Sequence, residues 1–153
     1  HGRLADYPGV IAEGGANWWD GFQLVPVTRG FWHEGLWFDV FPVRHHLPDT
    51  AFGLRLPGSL VWTGDTRPIP EMLALHAASD ELIAHDCALH GNPSHSGIED
   101  LEREYPRELL SRCVFYHYSG DDAAAMRARS HRVADAGELI ALAEPSAPRM
   151  PPA

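Results

Sequence analysis

The sequence predicts an α/β domain: a mixed β-sheet with helices on one face. Three observations carry that prediction. The chain has 153 residues, enough for one domain. Hydrophobic residues make up 44% and charged residues 22%, which is ordinary globular usage, and no apolar run approaches the ~20 residues of a membrane span. Strand-like segments come first as a meander and then alternate with helical ones, the order of a mixed sheet with helices.

Each element has its own signal. Residues 1–22 are Gly-rich and end in Asn17-Trp18-Trp19-Asp20-Gly21-Phe22, which predicts an irregular or partly helical start. Leu24 to Val27 reads as a short strand whose Pro26 places it at an edge or a strand end. Leu36 to Val43 is a stronger strand. Ala51–Leu56 and Ser59–Thr63 flank Pro57-Gly58 and predict a β-hairpin. After Pro68 the pattern becomes helical to about Ala78, because proline is tolerated in a first turn and Glu71 suits the positive end of the dipole. Glu81–His85 is a buried strand. Ser96-Gly97-Ile98-Glu99 has capping-box spacing and opens a helix to about Glu104. Pro106 opens a short helix through Ser111, Cys113–His117 is a strand, Asp121–Ser130 an Ala-rich helix and Glu138–Leu142 a last strand. Four prolines from Glu144 onward predict a frayed tail over 144–153.

Charge narrows the function. The 12 basic residues are all arginine, and with 21 acidic residues they give a net charge of −9. The absence of lysine excludes Schiff-base chemistry and a Walker-type phosphate lysine. Net acidity argues against non-specific binding along a nucleic-acid backbone, which needs clustered positive charge. Small phosphodiesters stay compatible, since a bound metal supplies positive charge locally. Two cysteines, Cys87 and Cys113, make no disulfide framework and read as reduced, partly buried thiols, hence a cytoplasmic setting.

Ten histidines are the compositional oddity. Several stand with aspartates at strand ends, where loops present functional groups. His45-His46 follows the strand LWFDVFPV, Gly64-Asp65-Thr66 follows SLVWT, Asp86 follows ELIAH and His117 ends CVFYH. Nitrogen and oxygen donors converging along one sheet edge make a divalent site compatible with zinc, manganese or iron. His33, His76, His85, His90 and His131 read as turn, helix-face or strand-flank residues without a chemical role, and Asp121 and Asp122 as helix N-terminal charges.

The ordered set Arg44-His45-His46-Leu47-Pro48-Asp49-Thr50, Trp62-Thr63-Gly64-Asp65-Thr66, Ile83-Ala84-His85-Asp86-Cys87, Pro93-Ser94-His95-Ser96 and Phe115-Tyr116-His117-Tyr118 resembles the C-terminal half of the metallo-β-lactamase fold. The similarity is to its phosphodiesterase branch, that of ribonuclease Z and related cyclic-nucleotide phosphodiesterases, over roughly residues 24–142. The resemblance implies half of an αββα sandwich and a two-metal hydrolase, with zinc first and manganese or iron as alternatives. It implies His45 as a ligand of one metal, with His46 as the alternative register, Asp65 as the carboxylate bridging two metals and His117 as a ligand of the second. It implies His95 as the group that contacts the scissile phosphate and protonates the leaving oxygen. Asp86 either orients His95 or a ligand histidine, or makes a plain strand-end hydrogen bond.

The family's upstream H-x-H-x-D-H signature is absent, and no His-x-His occurs in the chain. The expectation is therefore a partial domain over 1–143 that hydrolyses phosphodiesters when complete and is weak or inactive alone. Its substrate would be a small-molecule phosphodiester or nucleotide, with no membrane partner. A sheet face would be left open, with Trp18, Trp19, Trp32, Trp37 and Trp62 either on that face or in an ordinary core. The alternative is a degenerate, non-catalytic domain that binds a partner or a single metal, with a homodimer covering the face.

Overall fold

A computed structural model describes residues 25–146. Six strands form one sheet in sequential order β1 to β6. Strands β1 (Gly30–His33), β2 (Leu36–Pro42), β3 (Phe52–Leu56) and β4 (Leu60–Trp62) make an antiparallel meander. Helix α1 (Pro70–His76) leads into β5 (Leu82–Asp86), helices α2 (Ile98–Glu104) and α3 (Arg107–Leu110) into β6 (Cys113–Tyr116), and α4 (Asp122–Ala128) follows. Strands β4, β5 and β6 pair in parallel, as chain crossing over through helices must. Because β2 and β4 lie on either side of antiparallel β3, β2 also points the same way. The C-terminal ends of β2, β4, β5 and β6 thus emerge at one edge of the sheet, the edge where open α/β sheets place their ligands.

The two faces differ. Alternation along the ladders sends Phe41, Val61, Ile83 and Phe115 to one face, where all are buried with Ile69, Leu73, Ile98, Leu101 and Met126 from the helical segments. The opposite face carries Phe38, Val40, Leu54, Leu60 and Trp62. Trp62 and Phe52 are still 43% and 48% exposed there. Trp32 is exposed and packs edge-on against its hairpin partner Trp37. Trp18 and Trp19 lie outside the described residues. Among the described residues no helix is long and apolar enough to cross a membrane.

The structure corrects four sequence expectations. Residues 25–27 form no strand; Pro26 offers no N–H, and Val25 and Val27 are exposed. The edge strand is instead β1, joined to β2 by Glu34-Gly35, both at positive φ (49° and 79°), the backbone of a two-residue hairpin turn. Glu138–Leu142 is irregular, with Leu139 exposed. The edge beyond β6 is already bonded by the passing segment around Val133: Phe115 N–H donates to Arg132 O (2.9 Å) and Ala134 N–H to Phe115 O (2.9 Å). The N-cap of α2 is Gly97, not Ser96. Ser96 is buried and donates its hydroxyl to Thr66 O (2.8 Å), while Asp100 reaches back to Gly97 N–H (3.3 Å). Helices α1 and α4 are also shorter than expected, ending at His76 and Ala128. In the predicted tail, Ser146 N–H donates to Pro57 O (2.8 Å).

Candidate metal centre

Four short loops leave the common sheet edge, and backbone chemistry fixes each one. After β4, Gly64 takes φ 62°, a left-handed turn that glycine adopts without steric cost. Its carbonyl accepts the Tyr116 hydroxyl (2.8 Å), which pins the turn that presents Asp65. Asp86 ends β5 with its side chain fully buried. Its Oδ2 accepts Thr66 N–H (2.8 Å) and Nδ1–H of His95 (2.8 Å). His95 sits in a loop organised by Asn92, whose Oδ1 takes the N–H groups of Ser94 (2.8 Å) and His95 (3.1 Å). His117 follows β6 in a left-handed conformation at φ 68°. Its Nδ1 lies 3.1 Å from Asp65 Oδ1 and 3.3 Å from Asp86 Oδ1.

Asp65, Asp86, His95 and His117 each offer one donor atom, and these atoms all lie within 4.8 Å of one another. Two carboxylates and two imidazoles are a hard-to-borderline donor set suited to a divalent cation. One observation tests the fit directly. Asp86 Oδ1 is buried and, although His117 Nδ1 lies 3.3 Å away, makes no hydrogen bond among the described residues. A buried carboxylate oxygen without a donor is costly, and burial pushes the Asp86 carboxyl up despite the opposing bonds from Thr66 and His95. A cation in contact with Oδ1 removes both penalties, so the donor set fits a metal.

The chain matches the family model of anti-Pycsar protein Apyc1 over residues 11–138. It belongs to that family. Among solved structures it is similar to a diphosphatase of the PhnP family, with a TM-score of 0.53 and 18% sequence identity over 69% of this chain. That likeness establishes the mixed α/β fold of metallo-β-lactamase type. The chain spans 43% of the length of that diphosphatase. No curated protein matches the chain in sequence.

Within this Apyc1-family fold, the structure brings Asp65, Asp86, His95 and His117 together and leaves His45 beside them. The His45 ring centroid is 4.8 Å from that of His95. Its Nδ1–H donates to Ser94 O (3.1 Å), which leaves Nε2 as the free acceptor nitrogen. His46, at φ 57°, has its Nδ1 3.1 Å from Ser94 Oγ. Both cysteines are free and buried, with burial pushing the Cys113 thiol up to about 12.

Sequence reasoning missed the supports. Thr66 N–H holds Asp86, and its hydroxyl oxygen accepts Arg44 N–H (3.0 Å), which joins the Asp65 loop to the His45 loop. His85, read as a strand flank, is fully buried on the helix-covered face. Burial lowers its pKa to about 4, so the ring is neutral. Nδ1–H donates to Asp86 O (2.7 Å), and Nε2 therefore accepts the Tyr105 hydroxyl (2.7 Å). Tyr105 oxygen accepts Ile69 N–H (2.9 Å) at the start of α1. This relay ties the backbone of Asp86 to the segment following Asp65. No local pattern signals it, because Tyr105 and His85 meet only in the folded chain.

Proposed function

We propose that this chain is the C-terminal half of a two-metal phosphodiesterase. The reading is carried by one observation: two carboxylates and two imidazoles converge at a common strand-end edge with a buried carboxylate oxygen left without a donor. Membership of the Apyc1 family and the fold shared with a PhnP-family diphosphatase support it.

In this reading Asp65 would hold the ions through its carboxylate, which has two oxygens to offer, and His117 and His45 would hold them through neutral imidazole. Divalent ions bound there supply Lewis-acid polarisation of the phosphoryl oxygens and an acidified water. His95 is the general acid. Its Nδ1–H is held by Asp86 Oδ2, so Nε2 faces away from that bond and carries the proton destined for the leaving oxygen. Asp86 fixes the ring's orientation. The substrate is a small phosphodiester or nucleotide.

The test uses the full-length protein with native metals. His95→Ala is expected to lower turnover of a phosphodiester by ~10²–10⁴-fold with metal content unchanged. Loss of metal in that variant would make His95 a ligand and remove it from the acid role. Asp65→Asn is expected to lose metal together with activity. A second reading, a domain holding one metal without turnover, is favoured by the four donor atoms that already lie within 4.8 Å in this chain. Two metals per polypeptide and measurable hydrolysis support the first reading; one metal and none support the second.

A further inference from the structure

The loop that carries His95 also reaches His45, and its two ends are held by different means. The neck is closed by backbone alone. Ala88 N–H donates to Ser96 O (3.0 Å) and Ile98 N–H to Ala88 O (3.0 Å). Gly91 and Gly97 approach so closely that a Cβ on Gly97 would overlap Gly91 N. The tip is the tight turn Asn92-Pro93-Ser94-His95, with Asn first and Pro second, the order such turns favour. Asn92 is exposed, and its Oδ1 accepts the N–H groups of Ser94 (2.8 Å) and His95 (3.1 Å). Without that oxygen, His95 N–H keeps only a 3.4 Å bond to Asn92 O, and Ser94 N–H has no other acceptor among the described residues. The tip therefore depends on one side chain that the neck does not need.

One peptide plane links the two histidines. The N–H of His95 and the C=O of Ser94 belong to the same planar trans unit, so they point to opposite sides of the chain. On one side the N–H donates to Asn92 Oδ1 (3.1 Å); on the other, Ser94 O accepts Nδ1–H of His45 (3.1 Å). That second bond fixes the His45 tautomer and leaves the Nε2 lone pair for a cation. The same plane ends at the Cα of His95, whose ring is held on Asp86 Oδ2 (2.8 Å). We propose, granted the phosphodiesterase reading above, that Asn92 is a positioning residue for both histidines. By holding this plane it sets the ligand nitrogen of His45 and the acid nitrogen of His95 together. Metal binding at His45 and proton transfer from His95 thus share one support.

The full-length protein tests this with Asn92→Ala and Asn92→Asp, the second of which keeps an acceptor oxygen in the same place. The residue is exposed, so both variants are expected to fold. Asn92→Ala is expected to lower kcat for bis(p-nitrophenyl) phosphate about tenfold with KM little changed, and to weaken zinc binding, read by competition with a chromogenic chelator, about tenfold. Asn92→Asp is expected to recover most of both. A fall in kcat with unchanged zinc affinity, or the reverse, would overturn the proposal; so would equal losses in the two variants, or no change in either. A second arm does not depend on turnover. In metal-free protein labelled with ¹⁵N-histidine, the Nδ1–H protons of His45 and His95 are expected as protected signals in wild type and Asn92→Asp, and both are expected to vanish by exchange in Asn92→Ala. Persistence of either signal in Asn92→Ala overturns the proposal. If the wild type cleaves no diester, the phosphodiesterase reading falls, and the zinc titration and ring protons still decide the role of Asn92.

Discussion

Glu81 and Asp86 are buried carboxylates at opposite ends of the same strand, β5, and the fold treats them differently. At the entry to the strand, Glu81 Oε1 accepts Gly58 N–H (2.7 Å) and Arg55 Nη2 (2.7 Å), and Oε2 accepts Ala78 N–H (2.9 Å) and Arg55 Nε (3.0 Å). Burial pushes the Glu81 carboxyl up, but these bonds outweigh it and hold its pKa below the ordinary value. At the exit, Asp86 has one satisfied oxygen and one orphan, and burial wins, so its pKa is raised. The first arrangement is electrostatically closed and holds the sheet to the segment after α1. The second is open, and what would close it is a cation.

The sharpest way to break that comparison is to neutralise each carboxylate in turn. Asp86→Asn keeps an oxygen for Thr66 N–H and His95, removes the buried charge and places an amide NH₂ beside His117 Nδ1, which lies 3.3 Å from the present Oδ1. The metal-free variant is therefore expected to melt no lower than wild type, while the rise in Tm on adding metal disappears. Turnover of the full-length protein is expected to fall ~10³-fold. A variant that melts lower without metal and still gains stability from it would make Asp86 a second closed pair. Glu81→Gln has the opposite signature. It removes the counter-charge of Arg55, which Asp39 at 3.3 Å only partly replaces, and is expected to cost ~3 kcal/mol of stability with metal stoichiometry unchanged. Urea unfolding and metal analysis of the two variants side by side decide the matter.

The relay behind Asp86 gives a smaller effect on the same axis. Tyr105→Phe leaves the buried Ile69 N–H and His85 Nε2 without partners, and is expected to cost ~2 kcal/mol. If the relay positions Asp86 as well as stabilising the core, metal affinity falls too. A variant destabilised by that amount with unaltered metal affinity would confine the relay to a packing role.

Much of this contrast was legible in the sequence on one side and hidden on the other. The strand endings Gly64-Asp65, Asp86 and His117 stand out because a short continuous apolar run stops and a polar residue follows; the parallel strands then bring those endings to one edge. The hairpin about Pro57-Gly58 was legible for the same local reason. What depends on long-range closure was not. Arg55 and Glu81 lie 26 residues apart, and His85 meets Tyr105 across 20, with no local spacing to relate either pair. The β1 hairpin turn at Glu34-Gly35 was missed because Trp32-His33 next to a turn reads as loop, although it pairs in register with Leu36-Trp37. The predicted last strand failed because its place beside β6 was already taken.

A third carboxylate, Glu102 on α2, calibrates how much such closure matters near solvent. It accepts Arg129 at both oxygens and His131 Nε2 at 2.8 Å, joining α2 to the chain beyond α4. The hydrogen bond from Arg129, followed by that from His131, lowers its pKa from 4.5 to about 2. A carboxyl depressed in the fold binds fewer protons than the unfolded chain between those two values. Its contribution is therefore complete above about pH 4.5 and is lost as pH falls toward 2. Solvent screening at this partly exposed pair keeps that contribution below ~1 kcal/mol. Glu102→Gln is expected to lower the urea midpoint slightly at pH 7 and to show a narrower gap from wild type at pH 3, with the pH 7 gap also shrinking in 1 M salt (roughly 3 Å screening length). A gap that ignores both pH and salt would mean that Glu102 acts through packing, and that ion pairing in this chain counts only where, as at Glu81, water is excluded.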